Sequence, residues 1–261
     1  MIEKFLTHLN LPINKELLLQ EVKPEANLAM CTEPDMSLTW PHPESGKDLY
    51  ASADYFPCGL EDAQHLVSQE NYYARVIERT YYVYRDLNII DTDIVLDIGP
   101  GLGDISKNLS NVVKKVYCCD INQGLLNMAE MNCQHRSNMS FHLVDNVNKP
   151  LCFLDDNSIT KAFAYSVFVH CNLITIINYF KELKRVLKKD GLFFTQCCIA
   201  ASHHIFFSIN EEELKKIINE LDFNIITYCK FKKEVTYFPG TNREPVGGDS
   251  EFVGIRLLLS K

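Results

Sequence analysis

The chain has 261 residues and a mass of 30.0 kDa, with 46% hydrophobic and 23% charged residues. That composition excludes wholesale disorder and fits one large domain with an added cap. Lys and Arg number 26 against 34 Asp and Glu, a net charge of −8, which speaks against a protein held on phosphate backbones by clustered cations. Nucleic acid is therefore not an expected partner. No apolar run approaches the ~18 residues of a bilayer span. The opening MIEKFLTHLNLPINKELLLQEVK lacks the unbroken apolar core and cleavage site of a secretory signal. The expected setting is the cytoplasm, with no membrane partner.

In chain order, the first distinct segment is irregular: EPDMSLTWPHPESGKD carries three prolines and a glycine, which exclude a long regular element. LEDAQHLVSQENYYARVIERTYYVYRDL follows, helix-compatible and very aromatic, with Tyr73, Ile77 and Tyr81 on one helical face. The sequence changes character near residue 86, so residues 1–85 are read as an N-terminal cap and residues 86–261 as the main domain. Beyond Asp91, short apolar runs alternate with amphipathic segments, the pattern of an α/β domain with a doubly wound, largely parallel sheet.

Seven strands are predicted, at 93–98, 115–120, 139–144, 160–168, 191–198, 223–232 and 252–260. Helices are predicted at 104–113, 122–134, 173–189 and 210–221. In the 173–189 segment Leu173, Ile176, Ile177, Phe180, Leu183 and Leu187 keep one face, lysines crowd the last turn and Asp190-Gly191 is the expected stop. Asn210 is the expected N-cap of the last helix, with Glu211 to Glu213 in its first turn. The ten cysteines form no C-x-x-C, and the adjacent pairs Cys118-Cys119 and Cys197-Cys198 sit inside strand-like runs. They read as buried small hydrophobes in a reducing compartment, not as metal ligands or disulfides.

The chemistry begins at VLDIGPGLGD, residues 95–104. An apolar strand runs into Gly99-Pro100-Gly101-Leu102-Gly103, where glycines allow a sharp turn and close approach of a ligand to the backbone. A dinucleotide fingerprint is G-x-G-x-x-G, and here Asp104 stands where its third glycine belongs, which weakens a nicotinamide-dependent oxidoreductase reading. Asp120 ends the next strand, where a carboxylate can accept both hydroxyls of a ribose.

From Asp91 to about Phe223 the sequence resembles the class I S-adenosylmethionine-dependent methyltransferases, near their small-molecule group. VLDIGPGLG resembles the first motif of that family and VYCCDIN the second. FHLVDN falls where the family places an acid near the adenine. LCFLDDNSITKAFAYSVFVH resembles the stretch that ends in a histidine, and LKRVLKKDGLFF the entry to the fifth strand. Ile159-Thr160 replace the family's fourth-strand acid, and Lys189-Asp190 replace its Pro-Gly. The resemblance implies a Rossmann-like seven-stranded sheet and S-adenosyl-L-methionine as cofactor. Its implied cofactor set is Asp97, Gly99, Pro100, Gly101, Gly103, Asp120, Ile121, Asp145, Asn146 and Ser166.

The acceptor expected is a small molecule, with oxygen favoured over nitrogen or carbon. His170 is the candidate general base, read as ending the fourth strand; its alternative role is to hold backbone or cofactor. Tyr72, Tyr73, His203 and His204 are the candidate acceptor contacts. Adjacent histidines on a strand point opposite ways, so no metal is expected there. The loop 238–251 reads as a surface hairpin, with a second wall of the pocket as the alternative. A non-catalytic cofactor-binding scaffold is the alternative from another class, because fold alone does not fix function. Oligomeric state, a homodimer included, is left open.

Overall fold

The structure, a computed structural model, describes residues 69–201, 206–234 and 251–261. Most of the expected 1–85 cap, His203-His204 and the 238–250 loop lie outside the described residues. Helix α1 (Gln69–Asp86) leads into strand β1 (Ile94–Ile98), then α2 (Asp104–Leu109), β2 (Lys115–Asp120), α3 (Gln123–Asn132) and β3 (Met139–Leu143). After β4 (Ile159–Ala164) and a 3-10 turn (Phe168–His170) come α4 (Leu173–Val186), β5 (Leu187–Ala201), α5 (Glu211–Glu220), β6 (Asn224–Glu234) and β7 (Glu251–Ser260).

The seven strands form one sheet in the order β3-β2-β1-β4-β5-β7-β6. Pairings from β3 through β5 are parallel, whereas β7 lies antiparallel to both β5 and β6. The chain thus winds outward in both directions from the β1–β4 boundary, the place where open α/β sheets bind ligands beyond their strand ends.

Strand runs that are apolar on both sides need cover on both faces, and helices supply it. On one face Leu96, Ala162, Phe193, Ile255 and Leu257 pack with Ile176, Phe180 and Leu183 of α4 and with Leu214 and Ile218 of α5. On the other, Val95, Phe163, Val116 and Phe194 pack with Val83 and Leu109 of α1 and α2. The buried stripe of α1 runs through Val76, Ile77, Thr80 and Val83 and continues to Leu87 just past its end, with Tyr81 only half-buried. The stripe is therefore rotated from the expected Tyr73–Ile77–Tyr81 face.

Asparagines start three helices: the side chains of Asn122, Asn172 and Asn210 accept from Leu125 N, Thr175 N and Glu213 N. Each satisfies a backbone donor that the helix leaves without an internal partner. The cysteine pairs Cys118-Cys119 and Cys197-Cys198 are fully buried free thiols within β2 and β5.

Three boundaries differ from the sequence reading. Helix α4 stops at Val186, not 189, because Leu187 turns to extended backbone (ψ 139°) and pairs with Ile159 of β4. Asp190 is left-handed (φ 64°), and a Cβ on Gly191 would meet the Lys188 carbonyl at 2.8 Å. The Asp-Gly pair therefore bends β5 and does not cap the helix. Strand β4 ends at Ala164, since Ser166 is left-handed (φ 58°). His170 consequently sits in the 3-10 turn beyond the strand and does not end it. Helix α2 closes at Leu109, earlier than 113.

Candidate functional site

The crevice is built from the C-terminal ends of β1, β2 and β4. Strand β1 delivers Asp97, 2% exposed, directly below the glycine turn. Ser106 Oγ in the first turn of α2 donates to Asp97 Oδ2 at 2.6 Å, tying both ends of the loop together. Gly99 N donates to the Cys119 carbonyl at 2.8 Å and Gly103 N to the Pro100 carbonyl at 2.9 Å.

The loop glycines have different reasons to be glycine. Gly99 (φ +69°) is pressed by Val167, whose Cγ2 lies 2.5 Å from where a Cβ would stand. Gly103 (φ +78°) packs on α3, where a Cβ would meet Cys133 Sγ at 3.0 Å and Ala129 Cβ at 3.3 Å. Close helix–loop packing is thus supplied by Gly103 itself, and a glycine at 104 is not needed for it. Gly101 (φ +57°) has no heavy atom within 4 Å of its Cβ direction. Its backbone faces open space between Pro100 and Leu102.

Asp120, 7% exposed, ends β2 beside this loop. Its Oδ1 accepts from Asn122 N at 2.8 Å, and the Ile121 backbone also bonds its carboxyl. Burial raises the Asp120 carboxyl to about 6, partly opposed by those two bonds. Burial raises Asp97 to about 7; the Ser106 bond opposes that rise and the Asp120 charge adds to it. Two neighbouring buried carboxyls at the end of adjacent strands therefore titrate near neutrality, a feature concentrated at ligand sites.

Val144 N donates to the Asp120 carbonyl at 2.8 Å, which brings the end of β3 alongside β2 and places Asp145 next in line. Asp145 and Asn146 are exposed there, and Asn146 Oδ1 accepts from Asn148 N at 3.0 Å. Ile121 is half-buried behind Asp120.

On the β4 side, Ser166 N and Oγ both donate to Gln196 Oε1 of β5 at 3.1 Å. This side chain pins the left-handed turn that carries Ser166 and Val167 over Gly99. A non-glycine residue with positive φ costs of order 1–3 kcal/mol and persists only where surroundings hold it. His170 is 6% exposed and stacks on Phe206, with ring centroids 5.2 Å apart. Tyr179, which packs on Phe168, is buried near Cys119, Cys171 and Asp120, and burial lifts its hydroxyl well above the usual tyrosine range.

The fold thus brings Asp97, Gly99, Pro100, Gly101, Gly103, Asp120, Ile121, Asp145, Asn146, Ser166 and His170 to one edge of the sheet. Tyr72 and Tyr73 belong to the backbone of α1, but their side chains lie outside the described residues, as do His203 and His204. Sequence reasoning missed Ser106, Val167 and Gln196, whose roles depend on partners 9, 68 and 30 residues away. Only Ser106 left a signal, as a small polar residue in the apolar turn that follows the glycine loop. Among the described residues no group of three or more His, Cys, Asp or Glu is placed to hold a metal ion. No helix among them is long and apolar enough to cross a membrane.

Residues 96–195, from β1 into β5, match the family model described as a methyltransferase domain. Over 154 residues the chain is 32% identical to the uncharacterized protein MJ1252 of Methanocaldococcus jannaschii, covering 58% of this chain and 55% of that one. The chain therefore spans just over half the length of this curated relative. Among solved structures, an S-adenosylmethionine-dependent methyltransferase from Leishmania major has a TM-score of 0.55 at 12% identity, covering 82% of this chain and 81% of that one. The [4+2]-cyclase SpnF also has a TM-score of 0.55, at 15% identity, covering 72% of this chain and 82% of that one. At such identities these two establish likeness of fold. The matched segment, with its strand order and glycine turn, is that of a Rossmann-like methyltransferase domain.

Proposed function

We propose that the protein transfers a methyl group from S-adenosylmethionine to a small-molecule acceptor, with an oxygen nucleophile favoured. The observation that carries this reading is the open backbone at Gly101 set beside the buried Asp120. A ligand entering there meets a wall with no Cβ and an acid able to accept from a ribose. The donor set fits the cofactor: Asp120 has one oxygen committed to Asn122 N and Asp145 stands exposed at the end of β3, on the adenine side. Asp97 holds the loop in place through Ser106.

When bound, the cofactor supplies the electrophilic methyl; every other task falls to this chain. The Gly99–Gly103 loop positions it, and Ser166, fixed by Gln196, borders the acceptor side. Holding donor and acceptor about 3–3.5 Å apart in line accounts for several kcal/mol of barrier lowering. His170, within the turn after β4, is proposed to take the proton from an acceptor hydroxyl, a role worth roughly 10²–10⁴ in rate. Residues 1–85 are proposed as the acceptor-side cap on the 86–261 domain.

Calorimetry with S-adenosylhomocysteine tests the cofactor site, and transfer of labelled methyl into a small-metabolite extract tests the reaction. Saturable binding and a labelled product are expected. Absence of binding defeats the proposal. Binding without transfer to any acceptor favours the scaffold reading.

A further inference from the structure

On the α1 face of the sheet, one row runs from Tyr165 at the end of β4 through Gln196 of β5 to Arg256 of β7. Gln196 and Arg256 are directly paired across the antiparallel ladder. This row lies at the same strand ends as Ser166, which Gln196 holds. Over it lies α1, carrying Arg79 and Tyr82.

The two arginines share an unusual environment. The Arg79 guanidinium lies 5.9 Å from the centre of the Tyr165 ring, and the Arg256 guanidinium lies 5.1 Å from that of Tyr82 and 5.9 Å from that of Phe194. Tyr165 and Phe194 themselves stack at 6.1 Å, so both cations flank one pair of rings. Among the described residues neither guanidinium has a carboxylate within ion-pair distance, although Arg85 on the same helix pairs with Asp86. The Nε atoms of Arg79 and Arg256 are both buried, with no hydrogen-bond acceptor.

Ring faces attract a guanidinium but leave its five N–H donors unused. A buried donor without an acceptor is costly, and such groups in a native fold point to a ligand or ion. Packing alone does not call for a guanidinium there, because a methionine or leucine would fill the space beside Phe194 without leaving a buried N–H donor. Among the described residues the pair has no oxyanion partner, and a guanidinium fork matches carboxylate and phosphate geometry.

Resting on the methyl-transfer reading of the neighbouring crevice, we infer that Arg79 and Arg256 are the specificity residues for an anionic acceptor. The ligand class is a planar small molecule bearing a carboxylate or phosphate, its ring lying against Tyr165 and Tyr82 and its oxyanion taken by the two guanidiniums. The methylated atom then lies on the part of the acceptor that reaches past Ser166 toward the glycine loop.

The test uses the full chain loaded with S-adenosylhomocysteine and titrated with benzoate, phenyl phosphate and, as the neutral isostere, benzamide. Benzoate or phenyl phosphate is expected to bind saturably and about tenfold or more tighter than benzamide. Preference between the two oxyanions distinguishes carboxylate from phosphate. Arg79→Gln and Arg256→Gln should each weaken oxyanion binding about tenfold, while Arg79→Lys and Arg256→Lys retain part of it. S-adenosylhomocysteine affinity, measured on every variant, is expected to stay unchanged and reports that the domain is folded. Equal binding of benzoate and benzamide, no saturation by either oxyanion, or undiminished oxyanion binding in folded Gln variants overturns the inference. Failure of the wild-type chain to bind S-adenosylhomocysteine defeats the methyltransferase reading instead, and is seen in a separate titration.

Discussion

Ser106 Oγ and Asp97 Oδ2 meet at 2.6 Å across the base of the glycine turn, joining the end of β1 to the start of α2. This one bond joins side chains nine positions apart and places a buried acid below the turn. Because the acid is shielded from water, it remains protonated well above the usual carboxylate range, to about 7. Loop geometry and proton uptake are therefore linked in the same side chain.

That link has a signed consequence for stability. Between pH 4 and 7 native Asp97 holds a proton that the unfolded chain, titrating near 3.8, has already released. The native state thus binds more protons, and stability falls as pH rises through this window. Asp97→Asn removes the effect while keeping an oxygen for Ser106. In urea titrations the variant should exceed wild type at pH 8, by at most about 4 kcal/mol at ~1.4 kcal/mol per pH unit. The difference should shrink toward pH 4. A constant difference across this range would remove Asp97 as its source.

Asp120 governs ligand affinity by the same chemistry. A ribose donates best to the charged carboxylate, and burial raises this acid to about 6. S-adenosylhomocysteine affinity should hold above that pH and fall below it, approaching about tenfold per unit. Asp120→Asn should weaken binding by about 10–100-fold at pH 8 and flatten the profile. Calorimetry from pH 5 to 8 measures both.

The glycines of the turn separate folding from binding. Gly99→Ala sets a Cβ against Val167 Cγ2 in a left-handed backbone and should cost about 2 kcal/mol or more of stability. Adding Val167→Ala should recover the steric part but not the backbone part, a coupling that a double-mutant cycle in urea reads directly. Gly101→Ala meets no neighbour and should cost only about 1 kcal/mol. Under the proposed placement of the cofactor against Gly101, the added methyl should lower cofactor affinity more than stability.

For His170 the expected result is a split between turnover and affinity. His170→Gln keeps a polar side chain against Phe206 but cannot cycle a proton near neutrality. Single-turnover methyl transfer should slow by about 10²-fold or more while S-adenosylhomocysteine binds as before. Unchanged transfer would assign His170 to packing of the turn.

Local sequence carried much of this architecture. VLDIGPGLGD announced a strand, a turn and a helix because apolar periodicity and glycine φ preferences act over a few residues. Asn210 announced its helix for the same reason. Asp120 was legible because a strand end after a crossover helix lies beside the first turn in any such sheet. Boundaries set by distant partners were not legible: α4 ends early because Leu187 finds Ile159, and β4 ends early because Gln196 captures Ser166.

The chain by itself determined that a glycine turn follows β1 and that an acid ends the neighbouring strand β2, since both follow from near-neighbour sterics and strand order. Only the tertiary structure decided which glycine faces the open crevice, which serine holds Asp97, and that two arginines from α1 and β7 share one aromatic pair. Those relations join residues far apart along the chain, where linear patterning carries no record of which side chains meet or how deeply they are withdrawn from water.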